Sequence, residues 1–103
     1  MEIRWTEAAQ VQLAEKWPDD KDLRIIGRYV GGCGANVEYS LVWDREAAND
    51  HCYPLFGQQL RIDPLTVEYL SVPVLTIDYR PNQGFRLVTP EQILSYGLQV
   101  REA

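Results

Sequence analysis

Gly31-Gly32-Cys33-Gly34-Ala35-Asn36-Val37-Glu38-Tyr39-Ser40-Leu41-Val42-Trp43 is the stretch on which the fold turns. From Ala35 onward the residues alternate. Ala35, Val37, Tyr39, Leu41 and Trp43 fall on one face, and Asn36, Glu38 and Ser40 on the other, which is the period of a half-buried strand. Residues 23–30 are also rich in strand formers. The glycine-bracketed Cys33 therefore belongs to a sharp turn or bulge between two strands.

On the N-terminal side, Thr6 can cap a helix that carries Glu7 in its first turn and Ala9, Leu13 and Trp17 four residues apart on one face. Pro18 and the acidic run Asp19-Asp20-Lys21-Asp22 end it. On the C-terminal side, residues 44–58 read as an irregular excursion with one helical turn around Glu46-Ala47-Ala48. Residues 60–63 suit a short strand, after which Asp63 caps a brief helix with Pro64 in its first turn. Residues 74–79 and 85–88 form a hairpin around Pro81-Asn82-Gln83-Gly84. Thr89-Pro90-Glu91-Gln92 has capping-box spacing and predicts a short helix from Ile93, stopped by Gly97. This order of elements predicts an α+β fold: one domain over residues 1–103, with a compact, mostly antiparallel or mixed sheet, an N-terminal helix and further short helices.

The chain has 103 residues with 10 basic against 15 acidic side chains, a net charge of −5. That acidity argues against tracking a phosphate backbone, which relies on Lys and Arg. No apolar run reaches the roughly 18–20 residues of a membrane span. The N-terminal residues lack the basic-then-apolar pattern of a secretory signal, so a cytoplasmic location is expected. Cys33, Cys52 and His51 are the only soft or borderline metal ligands, too few for one chain to build a Cys₄ or Cys₂His₂ site.

The helix, the Gly-Gly-Cys-Gly turn leading into an alternating strand, Ile77-Asp78-Tyr79, and Gly84-Phe85 followed by Thr89-Pro90 occur in order. Together they resemble the HesB/IscA-like iron–sulfur cluster biosynthesis domain over nearly the whole chain. The resemblance implies a non-enzymatic role in iron–sulfur cluster assembly, as scaffold, carrier or iron-binding accessory. It also implies iron or a cluster as the bound species, a homodimer or tetramer with ligands shared across subunits, and assembly or recipient proteins as partners. Neither nucleic acid nor membrane is expected.

In that family three cysteines bind iron or a cluster, and only the first carries over, onto Cys33. The other two, a Cys-Gly-Cys, fall on Tyr96-Gly97-Leu98, where the glycine stays and both thiols are gone. A [2Fe–2S] cluster generally takes four ligands. Two copies of Cys33 leave two to come from Cys52, His51, carboxylates or a small thiol, and cofactor-free chemistry is the other expectation. A tail carrying Tyr96 and Leu98 is expected to pack against the fold. Two further functions stay open: a metal-free interaction module on the same fold, and a thiol redox sensor through Cys33, with or without Cys52.

Other residues read as structural. The adjacent His51 and Cys52 can share a metal only from a loop, because successive strand residues face opposite sides. Asp78 reads as a hairpin residue, either solvent-facing or hydrogen-bonded to a turn. Asp19, Asp20 and Asp22 lack the spacing of a calcium loop. Trp5, Trp17, Trp43, Tyr29 and Tyr39 sit at core spacings, and Arg24, Arg28 and Arg86 read as surface charge. No Ser/His/Asp triad or phosphate-cradling loop is present.

Overall fold

A computed structural model describes residues 1–31 and 36–103. The elements in chain order are β1 (Glu2–Trp5), α1 (Glu7–Lys16), β2 (Asp22–Val30), β3 (Asn36–Asp44), β4 (His51–Leu55), β5 (Gln58–Ile62), α2 (Pro64–Leu70), β6 (Val74–Arg80), β7 (Gly84–Val88), β8 (Ile93–Leu98) and β9 (Val100–Glu102). They form two sheets, ordered β1-β6-β7-β8 and β4-β5-β2-β3-β9. The ladders are mixed. β2–β3, β4–β5, β6–β7 and β7–β8 run antiparallel, while β1–β6, β2–β5 and β3–β9 run parallel. This is the α+β architecture that the order of sequence signals predicts.

Local chemistry explains the elements that the sequence announces. Thr6 caps α1 by accepting from the Ala9 amide at 3.2 Å, and Asp63 caps α2 by accepting from the Thr66 amide at 3.1 Å. Each supplies an acceptor to an N–H that the helix cannot satisfy itself. Along β3, Tyr39, Leu41 and Trp43 are buried, as their alternation requires. One apolar cluster joins Ala9 and Leu13 of α1, Leu70 of α2, Leu23, Ile25, Leu41, Leu60 and Ile62 of one sheet, and Leu75, Ile77, Phe85 and Leu87 of the other. Trp17 closes one end of it, edge-on to Trp43 at 5.0 Å and to Phe56 at 5.8 Å between ring centroids.

Four expectations need correction. The irregular excursion expected over 44–58 is confined to 45–50, because 51–62 form a regular hairpin pairing His51 with Ile62 through Leu55 with Gln58. Its two-residue turn, Phe56-Gly57, has φ of 35° and 82°, the left-handed pair that matches strand twist. Pro54 hides this strand in the sequence, yet β4 is an edge, where a missing N–H is tolerated.

Residues 93–98 are strand β8, not a helix. Thr89 closes a turn instead of capping one. Its amide donates to the Gln92 carbonyl at 2.8 Å, and its hydroxyl accepts from the Gln92 amide at 3.1 Å. So short a segment gains little from helical hydrogen bonds once nucleation is charged against them, whereas β7 offers a ready ladder. Strands β1 and β9 carry no sequence signal of their own, since each is short and takes its order from a distant partner.

Tyr29 is not core but 56% exposed, and Arg24 is not surface charge but 5% exposed.

Candidate functional site

Cys33, the candidate ligand, falls between β2 and β3 and lies outside the described residues, so its described surroundings are what can be given. The strands on either side of it pair through to Val30–Asn36. β2 is anchored from below by α2. The Gly27 amide donates to Thr66 Oγ1 at 2.9 Å, and that hydroxyl donates to Asp63 Oδ1 at 2.6 Å, so the residue capping α2 also orients the hydroxyl holding β2. A groove beside this end is lined by Tyr29, Val37, Tyr39, Tyr69, Ile93 and Leu94. Burial pushes the Tyr39 phenol above its ordinary pKa, so it stays neutral.

His51 and Cys52 lie in β4, and a regular ladder turns them to opposite faces. The pair therefore does not converge on one metal. Cys52 is exposed, and its Sγ accepts from Arg61 Nη1 at 3.2 Å. Arg61 is held in turn by Asp22, to which its Nε donates at 2.8 Å. That bond, ahead of the opposing effect of burial, raises the Arg61 pKa.

Tyr96 stands in β8 with 76% of its surface exposed, so the expected packing of this side chain does not occur. Leu98 does pack, against the core cluster. Residues 96 and 98 thus divide, one outward and one inward. Among the described residues no three His, Cys, Asp or Glu side chains lie close enough to hold a metal ion.

The most developed polar constellation has no signature in the sequence. Arg24 donates to Asp50 twice, to Asp44 at 3.0 Å and to the Arg45 carbonyl at 3.0 Å. Hydrogen bonding from Arg24 holds the Asp50 carboxyl below its usual pKa despite burial. Asp78 forms a second knot. It accepts from the Thr6 hydroxyl at 2.8 Å and from Arg86 Nη2 at 2.6 Å, tying the cap of α1 to the β6–β7 hairpin. Burial raises the Asp78 pKa, but the bonds from Thr6 and Arg86 outweigh it and the net shift is downward. Both arrangements are ion pairs that tie separate elements of the fold together.

Among the described residues, no helix is long and apolar enough to cross a membrane. No protein-family model matches the sequence, and no curated protein matches it significantly. Solved structures do match. A crystal structure of a candidate Fe–S biosynthesis protein from Lactobacillus acidophilus superposes with a TM-score of 0.72 at 19% identity, covering 99% of this chain and 90% of that one. Escherichia coli SufA, involved in biosynthesis of iron–sulfur clusters, superposes with a TM-score of 0.61 at 19% identity, covering 87% and 82%. At that identity the likeness is one of fold. The chain has the α+β fold of these iron–sulfur biosynthesis proteins, as the ordered motifs imply for a HesB/IscA-like domain.

Proposed function

We propose that residues 1–103 form one HesB/IscA-like domain acting as a non-enzymatic accessory of iron–sulfur cluster assembly in the cytoplasm, a scaffold, carrier or iron-binding protein whose cargo ligand is Cys33. The observation that carries this reading is the likeness of nearly the entire chain, 99% of it, to a structure described as an Fe–S biosynthesis protein. The glycine-bracketed turn adds chemical support. Backbone N–H groups around a thiol between glycines favour the thiolate, the form that binds iron. One Cys33 per chain points to a homodimer holding iron between two subunits, with assembly or recipient proteins supplying or accepting it. Anaerobic incubation with iron and sulfide tests the reading. Visible charge-transfer bands that vanish in Cys33→Ser support it, while their absence from the wild type, or persistence in the variant, overturns it.

A metal-free interaction module on the same fold is the second reading. It is favoured by Tyr96, which puts an exposed phenol where the resemblance calls for a thiol. Elemental analysis of protein purified without chelator separates the two: stoichiometric iron supports the first, and none supports the second.

A further inference from the structure

Arg28 and Arg101 stand apart from the other arginines of this chain. Every other arginine pairs with a carboxylate. Among the described residues neither Arg28 nor Arg101 has a carboxylate partner or donates a side-chain hydrogen bond, and residues 32–35 carry no acid that could supply one. With 15 acidic side chains against 10 basic ones, carboxylates are in excess, so two exposed guanidinium groups without a partner are conspicuous. Both border the same cleft.

The cleft has a volume of about 350 Å³ and is built on β2, β3 and β9. Ile25, Leu41 and Trp43 of these strands enter the core, so alternation turns Ile26, Arg28, Glu38, Ser40 and Val42 to the opposite, outer face. The register sets Arg28 across from Glu38, Ile26 across from Ser40, and Arg101 beside Val42. Val42 is only 7% exposed although it lies outside the core cluster, so with Ile26 it gives the cleft a sheltered apolar floor. Arg28 and Arg101 are two strands and four residues apart, a backbone separation of about 16 Å from strand spacing and rise. They border the floor from opposite corners.

We propose that this cleft binds a small dicarboxylate, two acidic groups joined by a short apolar chain. A guanidinium fork matches a carboxylate with two parallel hydrogen bonds. Two forks at separate corners call for two acidic groups, and the floor of Ile26 and Val42 calls for hydrocarbon between them. The Ser40 hydroxyl, on the same face, adds a hydrogen-bonding group midway. A lone inorganic anion would engage one corner and leave the floor uncovered. The volume is at the small end of the roughly 300–1,000 Å³ of small-molecule sites. Glu38, across from Arg28 without pairing with it, repels an acid at that corner and weakens the hold on simple anions. Neither Cys33 nor iron takes part, so this site stands or falls apart from the assembly reading.

The test is an NMR titration of the full chain with glutarate, adipate and suberate at constant ionic strength, with hexanoate and inorganic phosphate alongside. Saturable shifts are expected at the Ile26, Ser40 and Val42 amides, with an optimum in chain length. The best dicarboxylate should bind about tenfold more tightly than hexanoate, since it engages a second fork. Arg28→Gln and Arg101→Gln should each remove that tenfold advantage. Glu38→Gln should tighten binding about threefold by lifting a like charge. Lys16→Gln, which removes an exposed cation of α1, should change nothing. Circular dichroism checks the fold of each variant. If Arg101→Gln loosens the three-residue β9, Arg28 and Glu38, in strands paired over nine residues, carry the test alone. No saturation up to about 10 mM overturns the proposal. So does an affinity indifferent to chain length, or an equal loss in the Lys16 variant. Phosphate binding as tightly as the best dicarboxylate would mean an adventitious ion only, and overturns it too.

Discussion

Arg24 holds Asp50 with both arms of its guanidinium, Nη1 donating to Oδ1 at 2.7 Å and Nη2 to Oδ2 at 2.6 Å. The side chains are 6% and 2% exposed, so little water competes. Asp50 also accepts from the Ala47 amide at 2.9 Å, which fixes the bend between β3 and β4. A buried pair of this kind adds little compared with a well-packed apolar pair, but removing one partner strands a charge. Asp50→Ala is therefore expected to destabilise by about 3–5 kcal/mol. Combining it with Arg24→Met should cost less than the sum of the two single changes, because the second removes the orphaned cation. Urea denaturation of the cycle measures both, and additive losses would refute the coupling.

Acid should undo the same contacts. Asp50 and Asp78 both titrate below the ordinary aspartate value of about 3.9 in the folded protein. A depressed native pKa means that the unfolded chain binds protons first as pH falls. The stabilisation is complete well above pH 4 and is lost progressively as pH drops through about 4 toward the lower native values. Stability measured from pH 7 to pH 2 should show this acid limb. Asp50→Asn should flatten it, since an amide does not titrate, and an unchanged slope would count against Asp50 as a contributor.

These two carboxylates also mark what pattern reading can and cannot see. Thr6, Asp63 and the 74–88 hairpin are legible because each signal is local: a cap with its own N–H, or a turn between its own strands. Val37, Tyr39, Leu41 and Trp43 are legible because alternation directly encodes a buried face. Arg24 is not, since its partners Asp44 and Asp50 lie 20 and 26 residues away and one-dimensional spacing does not show that they meet. The strand at 93–98 reads as a helix for a related reason. Thr89 and Gln92 do bond to each other, but the ladder of β7 sets the conformation from Ile93 onward. His51 and Cys52 are free to converge only in a loop, and Pro54 hides the strand that forbids it. The resemblance places Cys33, Tyr96 and Leu98 in a site; the chain's own pattern distinguishes only the glycine turn.

Two glycines with nearly equal backbone angles should respond differently to a methyl group. Gly57 has φ of +82° and an added Cβ would meet nothing within 4 Å, whereas Gly84 has φ of +88° and its Cβ would lie 2.7 Å from the Leu98 carbonyl oxygen. Gly57→Ala then carries only the left-handed penalty, about 1–2 kcal/mol. Gly84→Ala adds a backbone collision between β7 and the end of β8, for a total of about 2–4 kcal/mol. Thermal unfolding of both variants should rank them in that order. Equal losses would mean that β8 yields at Leu98 without cost.

The ligand assignment makes an asymmetric prediction for the two thiols. Cys52 sits on a regular edge strand with its sulfur against Arg61, and its neighbour His51 points to the other face. Cys52→Ser and His51→Ala should each retain the full amplitude of the visible bands after anaerobic reconstitution with iron and sulfide, while Cys33→Ser should lose them. A band amplitude that tracks Cys52 instead would move the ligand to β4 and leave the glycine turn without a chemical role.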